Sequence, residues 1–168
     1  MDDERRERGT TLLKALGTDG RSCPMHVVWR VSVLVGGEDI AYAEAHLERD
    51  AAHQTTSGTV VVLTATRAIF AVIGRSDLHN EPNENASTVA VHCWGRRALT
   101  SIGMDESNEN SDWSWHHEWS DVWPHQGARA QLVYSDGATL TLPLDPGAGS
   151  AAHMSRLLPG LVEDLARP

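Results

Sequence analysis

Residues 58–73 read GTVVVLTATRAIFAVI. Two apolar runs, 60–63 and 68–73, flank the short polar break Thr64-Ala65-Thr66-Arg67. Each run is too short for a good helix, and Val, Ile, Phe and Thr suit a pleated surface. The stretch therefore predicts two antiparallel strands joined by a tight turn. Near-continuous apolarity, in place of clean alternation, predicts burial on much of both faces. Phe70 is expected in the core.

Downstream, Val89, Val91 and Cys93 alternate with Ala90, His92 and Trp94, and 99–104 reads as a further short strand. Residues 131–134 and 139–144 flank Ser135-Asp136-Gly137, where Asp-Gly signals a type I′ hairpin turn. Met154, Leu157, Leu158, Leu161 and Leu165 then fall at helical spacing, predicting an amphipathic C-terminal helix that Pro159-Gly160 should kink or split.

Upstream, Val27, Trp29, Val31, Val33 and Val35 alternate with Val28, Arg30, Ser32 and Leu34, which is strand periodicity, and a hairpin across Gly36-Gly37 fits it. Residues 40–47 read as the next strand, with a helix over 38–49 as the competing reading because Ala, Glu and Leu favour one. Residues 1–20 read either as a short helix ended by Gly17, with Leu12, Leu13 and Leu16 on one face, or as a frayed terminus. In total about seven strands precede one helix, which predicts a mainly β chain: an antiparallel barrel or sandwich with a C-terminal α-helix.

At 168 residues the chain is long enough to bury a proper core. Its formal net charge of −9 argues against non-specific affinity for nucleic acid or an anionic membrane. The fourteen basic residues are all arginine except Lys14, and they are dispersed. That usage, with abundant Ala and Gly, fits a bacterial protein. Cys23 and Cys93 form no CxxC motif, and the first twenty residues hold no apolar signal core, so a cytoplasmic location is expected.

Gly58-x-Val-Val-Val-Leu63-Thr64-x-x-Arg67-x-Ile69-Phe70 resembles the strand pair of GRAM and bacterial pleckstrin-homology-like domains. Gly37-Glu38-Asp39-Ile40 is similar to the approach to their first strand, Leu99-Thr100-Ser101-Ile102 to their fifth, and Asp136-Gly137 with the strand and helix behind it to their end. The resemblance divides the chain into an N-terminal extension, 1–36, and a pleckstrin-homology-like domain, 37–168, carrying an insertion at 105–127. Ala65 departs from the usual Asn or Asp of that turn. Such domains often bind phosphoinositides through the first strand pair. Here the matching loop offers Arg49 between Glu48 and Asp50, poor chemistry for a multiply charged phosphate, so no membrane binding is expected.

The insertion is the compositional oddity. Trp113, Trp115, Trp119 and Trp123 fall within it, four of the six tryptophans, behind the acidic run DESNENSD. They read either as a cover packed on the barrel or as anchors for a protein partner, itself included. His116, His117 and His125 are the alternative, a metal or small-ligand site, although neighbouring histidines on a strand point apart. DESNENSD lacks the glycine and terminal glutamate of a calcium loop. No catalytic elbow, phosphate loop or dinucleotide fingerprint occurs. Cys93 beside His92 reads as a buried structural cysteine. The chain is thus expected to be a non-enzymatic interaction or adaptor domain that needs no cofactor and binds no nucleic acid.

Overall fold

The central hairpin forms as its residues direct. β2 (Thr55–Thr64) and β3 (Arg67–Asp77) pair antiparallel, placing Val60 opposite Ala71, Val61 opposite Phe70, Val62 opposite Ile69 and Leu63 opposite Ala68. Val60, Val61, Val62 and Leu63 are all buried, so β2 is covered on both faces. Phe70 departs from expectation: it is half-buried, between the buried Ile69 and Ala71. Period two turns Ile69, Ala71 and Ile73 to one face and Phe70 to the other, beside the exposed Val72. Gly58 is required where it stands. Its φ is 136°, and a Cβ there would lie 2.1 Å from the His46 carbonyl oxygen of the adjacent strand.

The computed structural model describes residues 2–18, 23–77, 88–106, 128–145 and 148–166. Within them lie two antiparallel sheets, of four and three strands, and a C-terminal helix. The chain divides into two compact units, Met1–Gly95 and Arg96–Pro168.

In the first unit β1 (Ile40–Asp50), β2, β3 and β4 (Thr88–Gly95) follow one another in sheet order, each antiparallel to the last. Two helices, α1 (Asp2–Ala15) and α2 (Met25–Val35), precede them. The core joins Leu12, Leu16, Val27, Val28, Val31 and Val35 from the helical segment to Val60, Val62, Ile69, Ala71 and Ile73 from the sheet. α1 settles one open alternative in favour of a helix, with Gly17 at φ 63° just beyond it.

α2 overturns the expected strand at 27–35 and the hairpin across Gly36-Gly37. Its buried residues are Val27, Val28, Val31, Ser32 and Val35, a stripe of helical period. Valine's preference for strands is worth only a fraction of a kilocalorie per residue, about 0.5 kcal/mol, and burial of that stripe outweighs it. The boundaries were marked in the sequence as well. Pro24 stands before the first turn, and Gly36 ends the last one in the left-handed region, φ 68°, donating its N–H to the Ser32 carbonyl at 3.2 Å.

A cluster of polar groups ties α2 to the hairpin. Thr64 Oγ1 donates to Glu38 Oε2 at 2.7 Å and accepts the Arg67 N–H at 3.0 Å. Thr66 gives Glu38 both its N–H, at 3.1 Å, and its hydroxyl, at 2.7 Å. Arg67 lies 3.4 Å from the same carboxylate and donates to the Leu34 carbonyl at the end of α2. The Thr-x-x-Arg spacing is therefore a turn device whose third partner, Glu38, lies 26 residues upstream of Thr64. Ala65, between Thr64 and Thr66, is exposed. Hydrogen bonds from Thr64 and Thr66, and then the Arg67 charge, hold the Glu38 carboxyl below the usual glutamate range.

The second unit contains β5 (Leu99–Glu106), β6 (Ala128–Tyr134) and β7 (Thr139–Leu142), paired in that order, and α3 (Ala148–Ala166). The β6–β7 turn differs from type I′. Only Gly137 has positive φ, 83°, and Tyr134 N–H bonds the Ala138 carbonyl while Gly137 N–H bonds Tyr134. This is the three-residue loop whose last residue is left-handed. α3 runs through Pro159 without splitting and buries Met154, Leu157, Leu158 and Leu161; Leu165 is exposed. Arg96, in a single 3₁₀ turn before β5, bonds Asp164 of α3 through Nε at 2.7 Å and Nη2 at 2.6 Å. Its guanidinium lies over Gly160, where a Cβ would come within 3.2 Å.

Candidate functional site

The helical period of α2 decides which side chains are available to a partner. A strand would put Val27, Trp29, Val31, Val33 and Val35 on one face. In the helix, Val27, Val31 and Val35 stay together and face the core, while Trp29 and Val33 rotate out. Val33 is 65% exposed and Trp29 36%, one helical turn apart. Two large apolar side chains thus lie in water side by side, an exposed stripe on α2.

The stripe borders a surface groove of about 470 Å³, lined by Arg5 of α1, by His26, Trp29, Arg30, Val33 and Leu34 of α2, and by Val91 of β4. Arg5 holds its guanidinium carbon 4.7 Å from the centre of the Trp29 ring, a cation–π contact that props the indole at the rim. The two helices are in contact at Gly9, where a Cβ would lie at ordinary van der Waals distance from Val28, 3.6 Å, and Trp29, 3.9 Å. His26 is anchored to β3, its Nε2 lying 3.2 Å from Ser76 Oγ. Burial, and then the charge of Arg30, holds the His26 pKa below the ordinary histidine value, so the ring is neutral at pH 7.

Trp113, Trp115, Trp119, Trp123, His116, His117 and His125 lie outside the described residues. Among the described residues no group of three His, Cys, Asp or Glu side chains is placed to hold a metal ion. Cys93 departs from its expected burial. Cys23 is fully buried, which pushes its pKa up to about 11, whereas Cys93 is exposed. Cys93 and His92 diverge on their strand; His92 instead stacks on Trp94, centroids 5.6 Å apart and planes within 8°. At the β1–β2 connection, Arg49 bonds Gln54 at 3.2 Å, and the Asp50 carboxylate accepts the N–H groups of Ala52 and His53 and meets the His53 ring at 2.6 Å. That loop is closed on itself by its own side chains. Among the described residues no helix is long and apolar enough to cross a membrane.

Arg5, Trp29, Arg30 and Val33 were not legible as a site while 27–35 read as a strand. The signal that finds them is Pro24 and Gly36, which bracket a helix. Neither a comparison with protein-family models nor one with curated proteins returns a match to this chain.

Proposed function

We propose that the chain is a non-enzymatic protein-interaction domain, of pleckstrin-homology-like type, that meets its partner through the groove beside α2. The observation that carries this reading is the exposure of Trp29 and Val33 one turn apart, beside an apolar groove and with Arg5 stacked on the indole. Trp and Arg are the residue types that most often dominate binding energy at protein interfaces. The pleckstrin-homology-like assignment draws its support from the order of elements, seven antiparallel strands followed by a helix among the described residues, and from the Thr64-x-x-Arg67 turn. The Trp-rich insertion is proposed as a second contact of the same domain, on its composition alone.

A photo-crosslinking residue introduced at Val33 tests the reading. In extract of the source cell it should give a discrete protein adduct, while the same residue at Val162, exposed on α3, should not. No adduct at Val33, or the same adducts from both positions, would remove the groove as the contact.

A further inference from the structure

The lining of the groove has a charge opposite to that of the molecule. The chain carries 23 acidic against 14 basic residues, yet among the described residues the charged groups that line the groove are Arg5 and Arg30, with His26 beside them and no carboxylate. Among the described residues neither guanidinium is in an ion pair. The nearby acid Glu4 is taken by Arg8 at 2.6 Å. Two uncompensated cations at the rim of a floor made by Val33, Leu34 and Val91 are complementary to an anionic group carried next to an apolar one.

We propose that the occupant is an acidic, amphipathic peptide segment of a partner protein, its carboxylates on Arg5 and Arg30 and its apolar side chains on Val33, Leu34, Val91 and the Trp29 indole. This rests on the groove being the contact surface. A membrane presents the same two features, apolar interior and anionic surface, but as a plane that must face the wider acidic surface of the molecule. A peptide meets only the groove, and within a Debye length of about 8 Å at physiological salt the local arginines outweigh distant carboxylates. The planar guanidinium of Arg suits this role. It grips a carboxylate in two-point fashion and, at Arg5, stacks on the ring at the same time.

The test uses the full chain and two labelled synthetic peptides, followed by fluorescence anisotropy. One alternates Glu with Leu and Trp at helical spacing; the other has Lys in every Glu position. The acidic peptide should bind and its Lys counterpart should not. Arg30→Gln should weaken the complex about ten-fold, more at low salt than at high. Arg5→Glu with Arg30→Glu should reverse the preference towards the Lys peptide. Circular dichroism of each variant checks folding, and both arginines are exposed. Acidic-peptide binding that ignores all three arginine substitutions, or no binding at all, overturns the proposal. So does saturable binding to phosphatidylserine vesicles that the double substitution abolishes, which would make the ligand a lipid surface. Self-association in sedimentation velocity that the double substitution abolishes would make it a second copy, and overturns the proposal equally. Failure of the wider reading looks different: the Val33 crosslink is then absent, whereas here it persists and only its dependence on charge is lost.

Discussion

Two valine-rich stretches of this chain take opposite conformations. Residues 27–35 (VVWRVSVLV) form helix α2, and 60–73 (VVVLTATRAIFAVI) form strands β2 and β3. Composition does not separate them. The difference is which arrangement finds a surface to bury against. β2 lies between β1 and β3, and its four apolar residues 60–63 are buried on both faces. α2 instead buries one stripe, in the core shared by α1 and the sheet, and leaves Trp29, Arg30 and Val33 in water. β-Propensity is a preference for a half-buried pleated surface more than for a backbone angle, so it yields where that surface is already occupied.

The largest effect is expected at Gly58. Gly58→Ala should destabilise the first unit by about 3 kcal/mol or more, because the new Cβ must displace the β1 backbone. Urea denaturation measures it; a loss under about 1 kcal/mol would mean that the β1–β2 register differs.

The two faces of β3 should differ next. Ile69→Ala should cost about 2–5 kcal/mol and Phe70→Ala, half-buried, about 1–2 kcal/mol. If the larger phenylalanine is the costlier loss, the assignment of faces is inverted.

A smaller effect should follow the charge of Glu38. Its folded-state pKa is depressed, so its contribution is fully present above the ordinary glutamate value and is lost as pH falls through the folded value. The wild-type protein should therefore lose more stability than Glu38→Gln between about pH 6 and pH 3. Parallel pH profiles for the two proteins would show that the carboxylate does not hold the turn.

The smallest effect is the most discriminating. In a helix, Val33→Ala at an exposed position should stabilise by about 0.5 kcal/mol, whereas in a strand it should destabilise. Val31→Ala, in the buried stripe, should instead cost about 1–2 kcal/mol. A rise in melting temperature at position 33 with a fall at position 31 sharpens the contrast to neighbouring residues of one element.

The elements whose signal is local are legible in the residues themselves. The central hairpin, the 131–144 hairpin, the strand at 40–47 and the C-terminal helix follow from short-range alternation, turn residues and helical spacing. Glycine at 58 and at 137 follows from backbone geometry that other residues resist. The rest depends on long-range packing, even where, as at Pro24 and Gly36, the chain marks a boundary. Phe70 is half-buried because period two sets it on the face opposite Ile69, and nothing in the run says which face is covered more. Cys93 is exposed because it lies on β4, an edge of its sheet order. α2 is a helix because its stripe is buried in a core shared with Val60, Val62, Ile69, Ala71 and Ile73, 25 and more positions downstream of Val35, which no short window of the sequence contains. The groove follows from that last decision. Trp29 and Val33 read as core under period two and become surface under 3.6, so the site was out of view until long-range packing set the period.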